Sequence, residues 1–231
     1  MNRLKQQGAT AGFSIVELLI AMTITLILMG FATSLLAAGF RIRNRGNAVS
    51  DAAADGQRAL NIMSREIANA GFNLVTNGVV AGDSDASHLR IRSNLNKYDT
   101  TSPGARNAAT DAGEDLLYFV NPSDETDYLV RYDINANRKT VLANRLSGLR
   151  VHYFSQRVTY DTTADANGVT NCDVSNFSSG EVAPNLASYL VIAVCVRIPA
   201  FGTPNSDGYQ PASNVLLVSD VSLRNANLAA Y

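Results

Sequence analysis

The chain has 231 residues, with 19 Lys and Arg against 20 Asp and Glu and a formal net charge of -1, so it offers no bulk attraction to nucleic acid or an anionic membrane. An apolar fraction of 46% excludes a disorder-dominated chain, and two cysteines and two histidines exclude a disulfide-dense scaffold, a cysteine-only zinc site and a multi-histidine metal centre. These averages conceal an asymmetry: the 23 residues from Leu18 to Phe40 carry no charge, and the rest of the chain is far more polar.

That apolar run exceeds the roughly 20 residues a helix needs to cross a bilayer. The apolar core of a secretory signal is shorter, roughly 7–15 residues, and ends in a small-residue cleavage site; here Arg41, Arg43 and Arg45 follow the run. Glu17 stands at its front edge, where an ionised group is costly without a partner. No base lies within helical reach, because positions 13, 14, 20 and 21 are Phe, Ser, Ile and Ala. A cut between Gly12 and Phe13 would create an amine four residues, about 6 Å, from Glu17. A neighbouring copy shifted by about one turn would bring its own amine beside that carboxylate.

The residues Gly12-Phe13-Ser14-Ile15-Val16-Glu17-Leu18-Leu19-Ile20-Ala21, behind a short leader made basic by Arg3 and Lys5, resemble the type IV prepilin cleavage and methylation motif. The resemblance implies that a membrane-embedded prepilin peptidase removes residues 1–12 by cutting after Gly12. Phe13 is then N-methylated, and Glu17 meets the Phe13 amine of a neighbouring subunit in a filament. Basic residues at the two ends of the run do not decide orientation. The resemblance and the cysteines place the leader in the cytoplasm, and the three arginines can snorkel to the outer headgroups.

Val49, Ala52, Ala53, Gly56, Leu60, Met63, Ile67 and Ala70 recur at steps of three and four, the stripe of an amphipathic helix. Arg58, Arg65, Glu66 and Asn69 fall off the stripe, and Gly71 suits a C-cap. No proline precedes Pro103, so one helix can run from about Phe13 to Ala70. Residues 13–42 form its membrane or filament-core half and residues 43–70 its amphipathic half, with Gly30, Gly39 and Gly46 as places for a stretch or bend. A coiled coil competes for the stripe, but small residues over about three heptads suit packing on a sheet of the same chain. The segment from Arg58 to Phe72 resembles the matching part of PilW-like minor pilins.

Strand patterns follow at 88–93, 115–121, 127–134, 138–143, 146–160, 187–198 and 214–223. Leu149, Val151 and Tyr153 share one face, with Arg150 and His152 on the other, and the apolar run from Tyr189 to Val196 fits a central strand covered on both faces. The expected fold is α+β and type IV pilin-like, a long N-terminal helix packed on an antiparallel sheet in a globular domain of residues 71–231. Polar loops at about 96–114, 161–186 and 199–213 read as display surface. Outside the cytoplasm Cys172 and Cys195 pair; the alternative is two thiols, with Cys195 a small buried hydrophobe. Many pilins staple a C-terminal loop in this way.

No nucleotide, zinc-protease or serine-hydrolase motif occurs. His88 and His152 read as ordinary exposed strand residues. The acidic stretches at Asp83-Ser84-Asp85, Asp124-Glu125-Thr126-Asp127 and Asp165-Ala166-Asn167-Gly168 read as solvated turns, because the last has Thr163 and Val174 where calcium ligands belong. No catalytic residue, metal or cofactor is therefore expected. The resemblance implies a structural minor pilin that helps initiate a type IV pilus. Its partners are major and minor pilins, the prepilin peptidase and the inner-membrane assembly machinery, and it has no assigned nucleic-acid or small-molecule ligand. It would sit in the inner membrane with its globular domain in the periplasm, and later in the pilus at the cell surface. A minor pseudopilin of a type II secretion system, or an adhesive or DNA-uptake subunit, shares the architecture.

Overall fold

A computed structural model describes residues 12–95, 109–122, 127–162, 172–205 and 209–226. The leader up to residue 11, most of the first polar loop and the acidic stretches at 124–126 and 165–168 lie outside the described residues. Helix α1 spans Ile15–Ala68 and is helical without a break through Gly30, Gly39 and Gly46, so no interruption forms at these glycines. It ends at Ala68, two residues before Ala70, the last residue of the stripe. Gly71 adopts φ +76°, and a Cβ there would stand 2.7 Å from the Thr76 carbonyl oxygen. Glycine is therefore required at this exit. Its N–H donates to the Arg92 carbonyl at 2.9 Å and ties the helix exit to the sheet.

Six strands form one antiparallel meander: β1 His88–Arg92, β2 Asp115–Asn121, β3 Asp127–Asp133, β4 Arg138–Phe154, β5 Tyr189–Ile198 and β6 Ser213–Ser222, neighbours in that order. Among the described residues the seven expected strands are thus six. The segments expected at 138–143 and 146–160 are one strand, β4, carried past a left-handed Arg145 (φ 59°) and a register shift between Leu146 and Gly148. It stops at Phe154 rather than at 160, and beyond it Asp161 bridges Ser175.

The chain divides into two units between Arg45 and Gly46. In the second, the α1 stripe lies on the sheet. Ala59, Leu60, Met63 and Ile67 are fully buried among Leu89, Leu129, Leu149, Val151, Leu190, Ile192, Val194 and their neighbours. Burying each large apolar side chain stabilises this packing by about 1.5–3 kcal/mol. Gly56 leaves room for the sheet side chains, since a Cβ there would meet Leu217 Cδ1 at 2.6 Å and Val196 Cγ2 at 3.0 Å. Glu66, beside the stripe, is not simply solvated. Arg131 Nε donates to its two carboxylate oxygens at 3.1 and 2.9 Å, and the Tyr118 hydroxyl also donates to it.

The other face of β5 is covered as well, by the described parts of the loop expected to be display surface. Phe154, Val158, Val174, Tyr189, Val191 and Ala193 form a second small core, with Tyr160 and Phe177 against it. Cys172 is disulfide-bonded to Cys195 of β5, with Cα atoms 5.1 Å apart, so the segment after Cys172 is fixed covalently to this face. His152 corrects the expectation of an exposed strand histidine. It is 8% exposed, with Nδ1 2.9 Å from Glu181 Oε1 and Nε2 2.7 Å from Asp173 Oδ1. The ring thus bridges the two ends of the covering segment, whose Phe177 packs on it at a centroid distance of 4.7 Å.

Candidate assembly interface

The first residues of α1 explain how the helix begins. Ser14 precedes it, and its hydroxyl accepts the Val16 N–H at 3.3 Å while its carbonyl accepts the Leu18 N–H at 3.1 Å. Ser14 is therefore an N-cap. Glu17 falls in the first turn, where the partial positive charge of the helix end favours a carboxylate. Ser14-Ile15-Val16-Glu17 has the spacing of a capping box, a signal present in the sequence beside the charge argument for Glu17. Gly12 and Phe13 lie just before the helix, with Phe13 80% exposed. Phe13, Leu18, Ala21, Met22, Thr25 and Leu26 line one shallow apolar groove.

From Ile15 to Phe40 the large apolar side chains all face outward. The polar side chains in this stretch do not need water. The Thr23, Thr25, Thr33 and Ser34 hydroxyls donate to carbonyls three or four residues back, for example Thr25 to Ala21 at 2.7 Å. A helix satisfies its own backbone, and these bonds do the same for its hydroxyls, so the segment suits an apolar surrounding. By length and composition α1 is apolar enough to cross a membrane. Glu17 remains exposed and available to a cation outside this chain.

The described residues of the globular unit present no comparable chemical constellation. Among the described residues no group of three or more His, Cys, Asp or Glu side chains could hold a metal. Its charged clusters tie the fold together. Asp115 accepts from Arg90 Nε and Nη2 and from Arg92 Nε, each at 2.8 Å, and Asp83 accepts from Arg90 Nη1 at 2.6 Å. Burial raises the Asp115 carboxyl, but the two guanidinium groups outweigh it and hold it below the ordinary carboxylate range. Asp85 turns the chain into β1 by accepting the Ser87 and His88 N–H groups at 2.6 and 2.8 Å. The slight burial of Asp85 opposes ionisation, and bonds from Ser87 and His88 overcome it, bringing the pKa down to about 2. The Asp83-Ser84-Asp85 stretch is thus a bonded turn.

The sequence-predicted residues fall into two separate groups: Gly12, Phe13 and Glu17 at the start of α1, and Cys172 and Cys195 on the far face of the sheet. Residues 8–33 match the family model described as the prokaryotic N-terminal methylation motif. No curated protein and no solved structure matches the chain. The matched motif indicates a type IV pilin or pseudopilin, with an apolar helix suited to membrane anchoring. The motif at the head of an apolar helix, whose later stripe lies on a six-stranded antiparallel sheet, is a type IV pilin-like arrangement.

Proposed function

We propose that the chain is a structural minor pilin of the PilW-like kind, cut after Gly12, N-methylated at Phe13 and incorporated through α1 into the complex that initiates a type IV pilus. The observation that carries this reading is the Gly12-Phe13 junction immediately before a helix whose large apolar side chains face outward and whose first turn holds Glu17. In that reading the membrane first covers the apolar half, and other pilins cover it after extraction. Glu17 takes the Phe13 amine of a neighbour, which offsets the cost of a carboxylate in an apolar layer and sets axial register. The chain acts by packing rather than catalysis. Its globular unit faces the periplasm before assembly and the pilus surface afterwards.

Glu17→Ala tests this mechanism. The substitution is expected to leave the thermal transition of the globular unit and the membrane level unchanged, and to reduce recovery with pili or the initiating complex about tenfold, a loss of about 1.4 kcal/mol. Equal recovery would remove charge pairing from the account. Because Glu17 also sits in a capping-box position, Glu17→Gln separates the roles: it keeps the N3 side-chain acceptor but removes the charge. Loss of piliation on gene deletion with exoprotein secretion intact supports the pilus assignment; the reverse result would assign the subunit to type II secretion.

A further inference from the structure

Each nitrogen of the His152 ring faces a carboxylate oxygen: Glu181 Oε1 stands 2.9 Å from Nδ1, and Asp173 Oδ1 stands 2.7 Å from Nε2. An ionised carboxylate only accepts hydrogen bonds, and a neutral imidazole has a single N–H. Both contacts are therefore hydrogen bonds only when the group of three carries one proton more than a neutral ring between two carboxylates. An imidazole takes up a proton roughly two pH units before a carboxylate does, so the ring is the place for it. The surroundings add few charges. Arg150, two residues earlier on β4, has Nε 3.7 Å from Asp173 Oδ2. β5 sets the uncharged Val191 opposite His152, and Phe177 packs on the ring. Next along β4, burial and then Asp85 and Glu181 push the Tyr153 hydroxyl up, so it stays neutral.

The two ends of this bridge are not equally held. Asp173 follows Cys172, which is disulfide-bonded to Cys195. Its carboxylate also accepts the Val174 N–H at 2.8 Å and meets Arg150. Among the described residues Glu181 has no hydrogen bond or ion pair except the one to His152. We propose that His152 is a proton-operated latch on the covering segment: the imidazolium holds both ends, and loss of one ring proton releases the Glu181 end while the Cys172 end stays fixed. The neutral ring keeps its proton on Nε2, against the better-anchored Asp173, and turns a lone pair towards Glu181. Two like-signed acceptors then face each other in a nearly buried place, which is unfavourable. Phe177 lies between the two ends and packs on both His152 and Phe154, at centroid distances of 4.7 and 4.9 Å. Release at Glu181 therefore loosens the cover of the second core, and acid fastens it.

Histidine is the side chain whose charge ordinarily changes between about pH 5 and 8, so the test compares about pH 6 with about pH 8.5. Hydrogen exchange is followed on the full-length oxidised chain in detergent, each rate being divided by that of an unstructured peptide at the same pH. Three amides report the segment: Val182 N–H donates to the Tyr153 carbonyl beside Glu181, Ser178 N–H to the Thr159 carbonyl, and Ser175 N–H to the Asp161 carbonyl near the fixed end. Protection of Val182 and Ser178 should fall about tenfold at the higher pH, and that of Ser175 less than about twofold. Unchanged protection at all three overturns the latch, and an equal fall at all three overturns release from one end. Glu181→Gln puts an amide donor where the neutral ring offers a lone pair, so its protection at Val182 should be nearly the same at both pH values. A variant that keeps the wild-type pH dependence would contradict the proposal. Should the variant fail to fold, nitrogen NMR of the wild-type ring decides: two ring protons at the lower pH and a proton on Nε2 alone at the higher are expected, and a singly protonated ring at both overturns it.

Discussion

From Ile15 to Phe40 α1 leaves its large apolar side chains uncovered, whereas from Ala52 to Ile67 the same helix buries Ala52, Gly56, Ala59, Leu60, Met63 and Ile67 under the sheet. The first stretch is apolar around its whole circumference; the second is apolar along one stripe. An amphipathic stripe needs one covering surface, and the six strands of this chain supply it. A helix apolar all round needs cover on every side, which a single sheet cannot give. The contrast separates residues that specify the fold from residues that specify a surrounding.

The sharpest way to break this comparison is a paired truncation. Leu60→Ala removes a side chain that is 0% exposed and should cost the globular unit about 2–5 kcal/mol, read by denaturant unfolding of the full-length chain in detergent. Leu26→Ala, at a residue 67% exposed, should leave that transition within about 0.5 kcal/mol. A comparable loss from both variants would mean that the two stretches are stabilised together.

The covering segment on the other face gives the next largest effect. Cys172→Ser opens a cross-link of sequence separation 23 and should cost about 3 kcal/mol by the chain-entropy relation. Protein purified oxidised should yield the linked Cys172–Cys195 peptides in a non-reduced digest. A variant as stable as wild type would show that the second core and the His152 bridge suffice.

Acid should also act on the globular unit, more gradually. Asp85 and Asp115 have folded-state pKa values below their unfolded ones, so the unfolded chain takes up their protons first as pH falls. Their contribution is complete above about pH 4. It is lost progressively towards about 2, the folded value of Asp85. Thermal midpoints measured from pH 7 down to 2 should fall below pH 4, and a flat profile would remove these two carboxylates from the stability of the β1 edge.

Much of the fold is legible in the sequence because the patterns are local. The stripe, Gly71 and the alternation of Leu149, Val151 and Tyr153 each report a period or a turn that a few neighbouring residues determine. β4 is less legible because Arg145 interrupts the alternation with a left-handed residue, and only pairing with β3 and β5 shows that the strand continues. Val158 and Tyr160 mimic a strand continuation, yet they belong to the second core. His152 carries no local sign of its partners, which lie 21 and 29 residues along the chain. The cap at Ser14 is the opposite case, since its signal is complete within four residues. The charge of Glu17 points outside the chain, and a partner there leaves no mark on a single sequence.

The central claim is that the uncovered stretch begins, in the mature protein, at Phe13. Mass spectrometry of the intact protein and its N-terminal peptide, taken from the native membrane, tests this most directly. The account predicts a chain that begins at N-methylated Phe13 and retains Glu17. A chain that begins at Met1, or at any residue beyond Phe40, would contradict it.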